Sequence, residues 1–113
     1  MNRKQLKGII PALITPFTEQ QDLDLNATRQ LVEYLLQHGV HGLFVAGTNG
    51  EAHLMNHDEI VALTETVVDE VNGRVPVISG AGKCSTAETI ELANRLKNAG
   101  ADYISLVTPY YLV

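Results

Sequence analysis

The stretch "GTNGE", Gly47 to Glu51, follows directly on the apolar run "GLFVAG" and sets two small polar residues, Thr48 and Asn49, between two glycines. Glycine reaches backbone angles denied to other residues, so Gly47 and Gly50 would let the Thr48 and Asn49 amides point together at one anion. A carboxylate fits such a pair. A bare strand-to-helix turn explains the same residues and, without further context, is the preferred reading. Glu51 reads as an acceptor that steadies the turn rather than as a catalyst.

Other chemistry-bearing residues have plainer explanations. "VISGAGKCST" offers a strand, a Gly-rich turn, Lys83 and a helix in the order of a phosphate loop, but the spacing fails. That motif needs glycine where Val77 stands and Ser or Thr where Cys84 stands. His53 and His57 are four apart, yet the helix start falls at Asn56 and no acidic partner completes a metal triad. They read as solvated histidines, as do His38 and His41. Cys84 is the single cysteine, which rules out an internal disulfide and suits a reducing compartment.

The elements that must position these residues alternate. Four β-rich runs, 9–15, 42–47, 75–80 and 102–108, are apolar nearly throughout, as strands covered on both faces should be. Three helical patterns lie between them. The first, carrying Ala27, Leu31 and Leu35, is capped by Asp24 or Asn26 and stops at Gly39. The second starts at Asn56, with Glu59 completing a capping box, and ends at Gly73. The third pairs Ser85 with Glu88 in the same box, sets Ile90, Leu92, Ala93 and Leu96 behind it, and stops at Gly100.

One helix-Gly-strand phrase thus recurs about every 30 residues, a βα repeat that makes a parallel sheet with right-handed crossovers. Periodicity leaves open whether the sheet is doubly wound or closed as an eight-stranded barrel. In either case ligands bind beyond the carboxyl ends of the strands, where Thr15, Thr48, Asn49, Gly80 to Cys84, Thr108, Tyr110 and Tyr111 fall. Pro11 cannot donate to a ladder and belongs early in its strand. Pro16 and Pro109 follow threonines at strand tops and redirect the chain.

Composition narrows the function. The 113 residues are 45% apolar, 19% charged and 5% aromatic, with a net charge of −5 and scattered basic residues. Such a chain offers neither a phosphate-tracking surface nor a base-stacking one, so nucleic acid is excluded as a partner. Its apolar stretches are strand-sized, far below the roughly 20 residues that span a bilayer, and "MNRKQLKGII" lacks a signal-peptide core. No membrane partner is expected, and a cytoplasmic location is the default.

Taken in order, "ALITPF", "GTNGEAHLMNHDE", "VPVISGAG", "TAETIELA" and "VTPYY" resemble the dihydrodipicolinate synthase / N-acetylneuraminate lyase family of Schiff-base aldolases. The resemblance covers nearly the whole chain and rests on five motifs in register. It implies an α/β fold, the (β/α)8 TIM barrel, of which residues 1–113 supply four strands and three helices as the N-terminal half of one domain. It implies a lyase or aldolase that condenses or releases pyruvate, or another 2-keto acid, through a lysine imine without a separate cofactor. It also implies a homotetramer built from tight dimers.

In that family the turn matching "GTNGE" holds the pyruvate carboxylate through backbone amides. The resemblance therefore gives Thr48 and Asn49 substrate binding. It makes Thr48 and Tyr111 catalytic members of a proton relay, with Tyr111 crossing into the neighbouring subunit's site. A Thr hydroxyl suits relaying because it donates and accepts at once. Tyr110 reads as interface packing.

Asn49 departs from the Thr common among the synthases, which leaves the subfamily open, other keto-acid and sugar-acid aldolases included. His57 and Glu88 match positions of a lysine-feedback site, but Cys84 replaces a polar residue there and Glu88 has its capping role, so feedback inhibition is not expected. The family's imine-forming lysine and second relay tyrosine have no counterpart among these residues. Lys83 does not match the former. The chain is accordingly expected to be inactive alone, a catalytically silent half-barrel that self-associates being the alternative reading.

Overall fold

A computed structural model describes residues 5–83 and 85–107. Helix α1, Leu25–Gln37, begins at Asp24, whose carboxylate accepts from the Ala27 amide at 2.9 Å. Helix α2, His57–Val71, begins at Asn56 with both halves of the capping box made. The Asn56 side chain accepts from the Glu59 amide at 2.8 Å, and the Glu59 carboxylate accepts from the Asn56 amide at 3.0 Å. Helix α3, Thr86–Asn98, begins at Ser85, which accepts from the Glu88 amide at 3.0 Å. Here the reciprocal bond is missing, so the expected capping role of the Glu88 carboxylate is corrected: at an exposed helix start, water competes for it.

Each helix is closed by a glycine at positive φ, Gly39 at 81°, Gly73 at 81° and Gly100 at 104°, the conformation that lets a chain leave a helix without a Cβ clash. Strands β1, Leu43–Val45, β2, Val77–Gly80, and β3, Tyr103–Ser105, form a parallel sheet in the order β1-β2-β3. Its register sets Leu43 against Val77 and Ile78 against Tyr103. Asp102 pins that register: its carboxylate accepts from the Val77 amide and its own amide donates to the Val77 carbonyl, both at 2.9 Å.

The run 9–15 lies beside β1 but joins it only through an isolated parallel bridge between Ala12 and Phe44. Pro11 limits the pairing, because it has no N–H to give; its carbonyl accepts from Phe44 at 3.0 Å, and the Leu13 amide donates back to Phe44 at 2.9 Å. The strand expected over 42–47 ends at Val45, since Ala46 takes a φ of 58°, which no ladder accommodates. Residue 108, the last of the fourth expected strand, lies outside the described residues.

All three helices share one layer. Helix α2 packs against α1 on one side, against α3 on the other, and onto β1 and β2, while α3 covers β3. A doubly wound sheet would place helices on both faces; this is the arrangement of a barrel wall. Val32, Leu63, Val67 and Leu96 close on Leu43, Val45 and Val77 to form the core between helices and strands. Within it Thr64 of α2 and Ser79 of β2, both fully buried, share a hydrogen bond of 2.8 Å.

The strands are not covered on both faces, as their apolar runs suggested. Leu13 and Thr15 are buried while Ile14 between them is 63% exposed, and Leu106 and Val107 beyond β3 are 60% and 55% exposed. Strand alternation accounts for Ile14, which turns away from the buried side, while Leu106 and Val107, consecutive residues past the end of β3, are exposed together. Ile90 is also corrected: two residues from buried Leu92, it lies about 200° around α3 and is 57% exposed.

Candidate functional site

The turn after β1 is built from its backbone. Ala46 and Glu51 take positive φ angles of 58° and 61°, whereas Gly47 and Gly50 do not. The glycines are therefore needed for space rather than for their angles, which corrects the reading of the bracketing pair. A Cβ on Gly50 would stand 3.0 Å from the Leu13 carbonyl and 3.2 Å from Thr15 Oγ1; one on Gly47 would stand 3.3 Å from the Phe44 ring. A side chain at Gly50 would press on backbone, whereas one at Gly47 would need only a small shift of the Phe44 ring.

Between them the chain curls tightly. The Gly50 and Ala52 amides both donate to the Gly47 carbonyl, at 3.1 and 3.2 Å, and the Glu51 amide donates to Thr48 at 3.0 Å. A 3-10 turn, Ala52–Leu54, then leads to buried Met55 and the start of α2. The Glu51 carboxylate, expected to steady the turn, makes no capping bond: at φ 61° its backbone, not its side chain, shapes the bend. Among the described residues no acceptor takes the backbone amides of Thr48 or Asn49, and both residues are exposed.

A cavity of about 630 Å³ opens at the carboxyl ends of the strands, walled by Phe44, Thr48, His53, Gly80, Ser105 and Val107 among others. Thr48 contributes to its lining; Asn49 stands next to it in the turn but does not. Strand β2 comes so near the turn that a Cβ on Gly80 would lie 2.2 Å from the Ala46 carbonyl. Tyr111 and Tyr110, like Thr108, Pro109 and Cys84, lie outside the described residues.

Lys83 is tied down: its Nζ donates to the Met55 carbonyl at 3.1 Å and its amide to Thr89 Oγ1 at 3.1 Å. His57 pairs through Nδ1 with Glu91 at 3.3 Å, and His53 faces the cavity instead, so the two do not converge. His38 bonds the Tyr34 carbonyl and His41 accepts from the Ile9 amide. Shifted ionisations lie elsewhere, on the outer side of α1 and α2. There the Arg74 guanidinium holds the Glu33 carboxyl below its usual range, and Asp69 and Glu70 raise Arg29.

Sequence reasoning set Thr15 at a strand top but gave it no role of its own. Thr15, 6% exposed, donates its hydroxyl to the Gly50 carbonyl at 2.5 Å. Its place at a strand top ahead of Pro16 was visible, but its partner is 35 positions away.

The model of the dihydrodipicolinate synthetase family matches residues 5–113. This chain belongs to that family. It is 50% identical over 108 residues to the 4-hydroxy-tetrahydrodipicolinate synthase of Methanopyrus kandleri, covering 95% of this chain and 36% of that enzyme. Among solved structures it superposes with a TM-score of 0.89 on the dihydrodipicolinate synthase of Acinetobacter baumannii complexed with pyruvate. Identity there is 34%, over 97% of this chain and 37% of that one.

A prophage protein of the dihydrodipicolinic acid synthase family from E. coli, also in complex with pyruvate, matches with a TM-score of 0.88. It is 41% identical over 92% of this chain and 35% of its own. The chain thus spans about a third of the length of the relatives it matches, and its fold is that part of their TIM barrel. Among the described residues no helix is long and apolar enough to cross a membrane.

Proposed function

We propose that this chain supplies the carboxylate-holding turn of a class I, Schiff-base aldolase or synthase that uses pyruvate. Residues 1–113 then form the first part of a single barrel domain. The observation that carries the reading is the pair of backbone amides, Thr48 and Asn49, that meet no acceptor among the described residues, in the turn beside the cavity that Thr48 lines. Two N–H groups held by a closed turn cost no reorganisation when an anion arrives. A hydrogen bond from such a donor to a charged carboxylate is worth roughly 1.5 to 3 kcal/mol.

The Thr48 hydroxyl, able to donate and accept, is the relay member, and Tyr111 of a neighbouring subunit is its partner in a dimer-based homotetramer. Such a relay contributes about 10² to 10⁴ in rate. The carbanion chemistry belongs to a lysine imine that no residue of this chain matches. Lys83 is an unsuitable substitute, its ammonium being held by the Met55 carbonyl. The substrate is pyruvate on the strength of the pyruvate-bound relatives; with Asn49 in the turn, another 2-keto acid of similar size remains the alternative.

Pyruvate titrated into the nitrogen-15-labelled chain tests this reading. The Thr48 and Asn49 amide resonances should shift together and saturate, while those of α3 stay in place. Resonances that do not move with pyruvate would end the assignment. Borohydride added with pyruvate should leave the mass of the 113-residue chain unchanged; an adduct on Lys83 would relocate the imine to this chain.

A further inference from the structure

We propose that Thr15 is a positioning residue for the anion-holding turn, acting through the Gly50 carbonyl. The inference rests on the reading of that turn as the carboxylate site. Thr15 is buried, and its hydroxyl donates to Gly50 at 2.5 Å across a sequence separation of 35. Among the described residues no other donor reaches that carbonyl.

The scaffold holds Thr15 from both sides. Ahead of it, the Leu13 amide is bonded to Phe44 at 2.9 Å; behind it, the Pro16 carbonyl accepts from the Asp24 amide at 3.0 Å, and Phe17 bridges to Leu23. Thr15 therefore cannot follow the turn if the turn moves. The contact is also close on the other side, since Gly50 leaves only 3.2 Å between Thr15 Oγ1 and the place a Cβ would occupy.

The consequence for the site follows from the turn's own bonds. Gly50 N and Ala52 N both close on the Gly47 carbonyl, so the peptide planes from 47 to 52 move as one unit. Fixing the Gly50 carbonyl fixes the directions of the Thr48 and Asn49 amides. Without the hydroxyl, a buried carbonyl is left unsatisfied, and the turn must rotate to reach water. The Thr48 and Asn49 amides, which meet no acceptor among the described residues, would then lose their fixed directions.

Two variants separate this role from plain stability. Thr15→Val keeps shape and removes the donor; Thr15→Ser keeps the donor and loses a methyl. For Thr15→Val the amides of Gly50, Glu51 and Ala52 should exchange with solvent about tenfold faster, with Val67 in α2 unchanged. Pyruvate half-saturation, read from the Thr48 and Asn49 shifts, should rise by about tenfold. Thr15→Ser should restore both.

Unchanged exchange at Gly50, Glu51 and Ala52 in Thr15→Val would overturn the positioning role even if pyruvate binds the parent chain normally. Faster exchange at Val67 to the same degree would overturn it too, as a global loss of stability. If the parent chain fails to respond to pyruvate, the carboxylate reading falls, while exchange still decides whether Thr15 holds the turn.

Discussion

Gly80 is where the demands of the sheet and of the turn meet. It pairs with Ser105 in the ladder and lies under the Ala46 carbonyl, whose residue already carries a φ of 58°. A methyl group there would fall 2.2 Å from that oxygen, a backbone atom that can yield only by moving the turn. Gly80→Ala should therefore cost about 1 to 3 kcal/mol in urea unfolding and weaken the response of Thr48 and Asn49 to pyruvate. Gly82→Ala, whose nearest neighbour would be at an ordinary 3.4 Å, should stay within about 0.5 kcal/mol of the parent. Equal losses in the two variants would show that the overlap at Gly80 is absorbed without strain. At this scale the sequence pointed to Thr48 and Asn49 as candidates, because two polar residues between glycines form a local pattern. It placed Thr15 and Gly80 at strand ends but not the contacts through which they and Ala46 matter, because each acts through an atom about 30 or more positions away, and no spacing rule reaches that far.

Helices obey local rules, and their ends were accordingly the most legible elements. Asp24, Asn56 and Ser85 all cap as their residue types require, and all three glycine stops take the left-handed angle. The boxes differ, however, and the difference is measurable. Asn56 and Glu59 satisfy two orphan amides reciprocally, whereas Ser85 satisfies one and Glu88 none. Asn56→Ala should destabilise the chain by about 1 to 2 kcal/mol, and Ser85→Ala by about 0.5 to 1 kcal/mol. Glu59→Ala should lower stability, and Glu88→Ala should leave it close to the parent. A loss at Glu88 as large as at Glu59, followed by urea denaturation, would contradict the asymmetry. The strands were harder to bound. A ladder needs a partner distant in sequence, so apolar runs fix where strands lie but not where pairing stops. The φ of Ala46 and the missing N–H of Pro11 decide that.

At the scale of the molecule, the layer of three helices buries one face of the sheet and leaves the other without cover among the described residues. Ile14 on the first extended run and Leu106 and Val107 beyond β3 stand on opposite margins of that sheet, each more than half exposed. The run 9–15 bonds β1 on one side through Pro11 and Leu13, and its other side has no strand among the described residues. In a closed barrel such margins meet further strands; on a chain produced alone they offer a template for pairing and an apolar surface for contact. The 113-residue chain in isolation should therefore associate, with a light-scattering mass above that of a monomer that rises with concentration. Replacing Ile14 and Val107 together by Lys should shift it back toward the monomer, because charge on an open margin opposes both pairing and burial. The capped helices and the Asp102 clamp lie on the other side of the sheet or at its base, so helix content should be retained in that variant. A parent chain that scatters as a monomer at every concentration would mean that its open face is already satisfied, and the barrel-closing role assigned to these margins would fail.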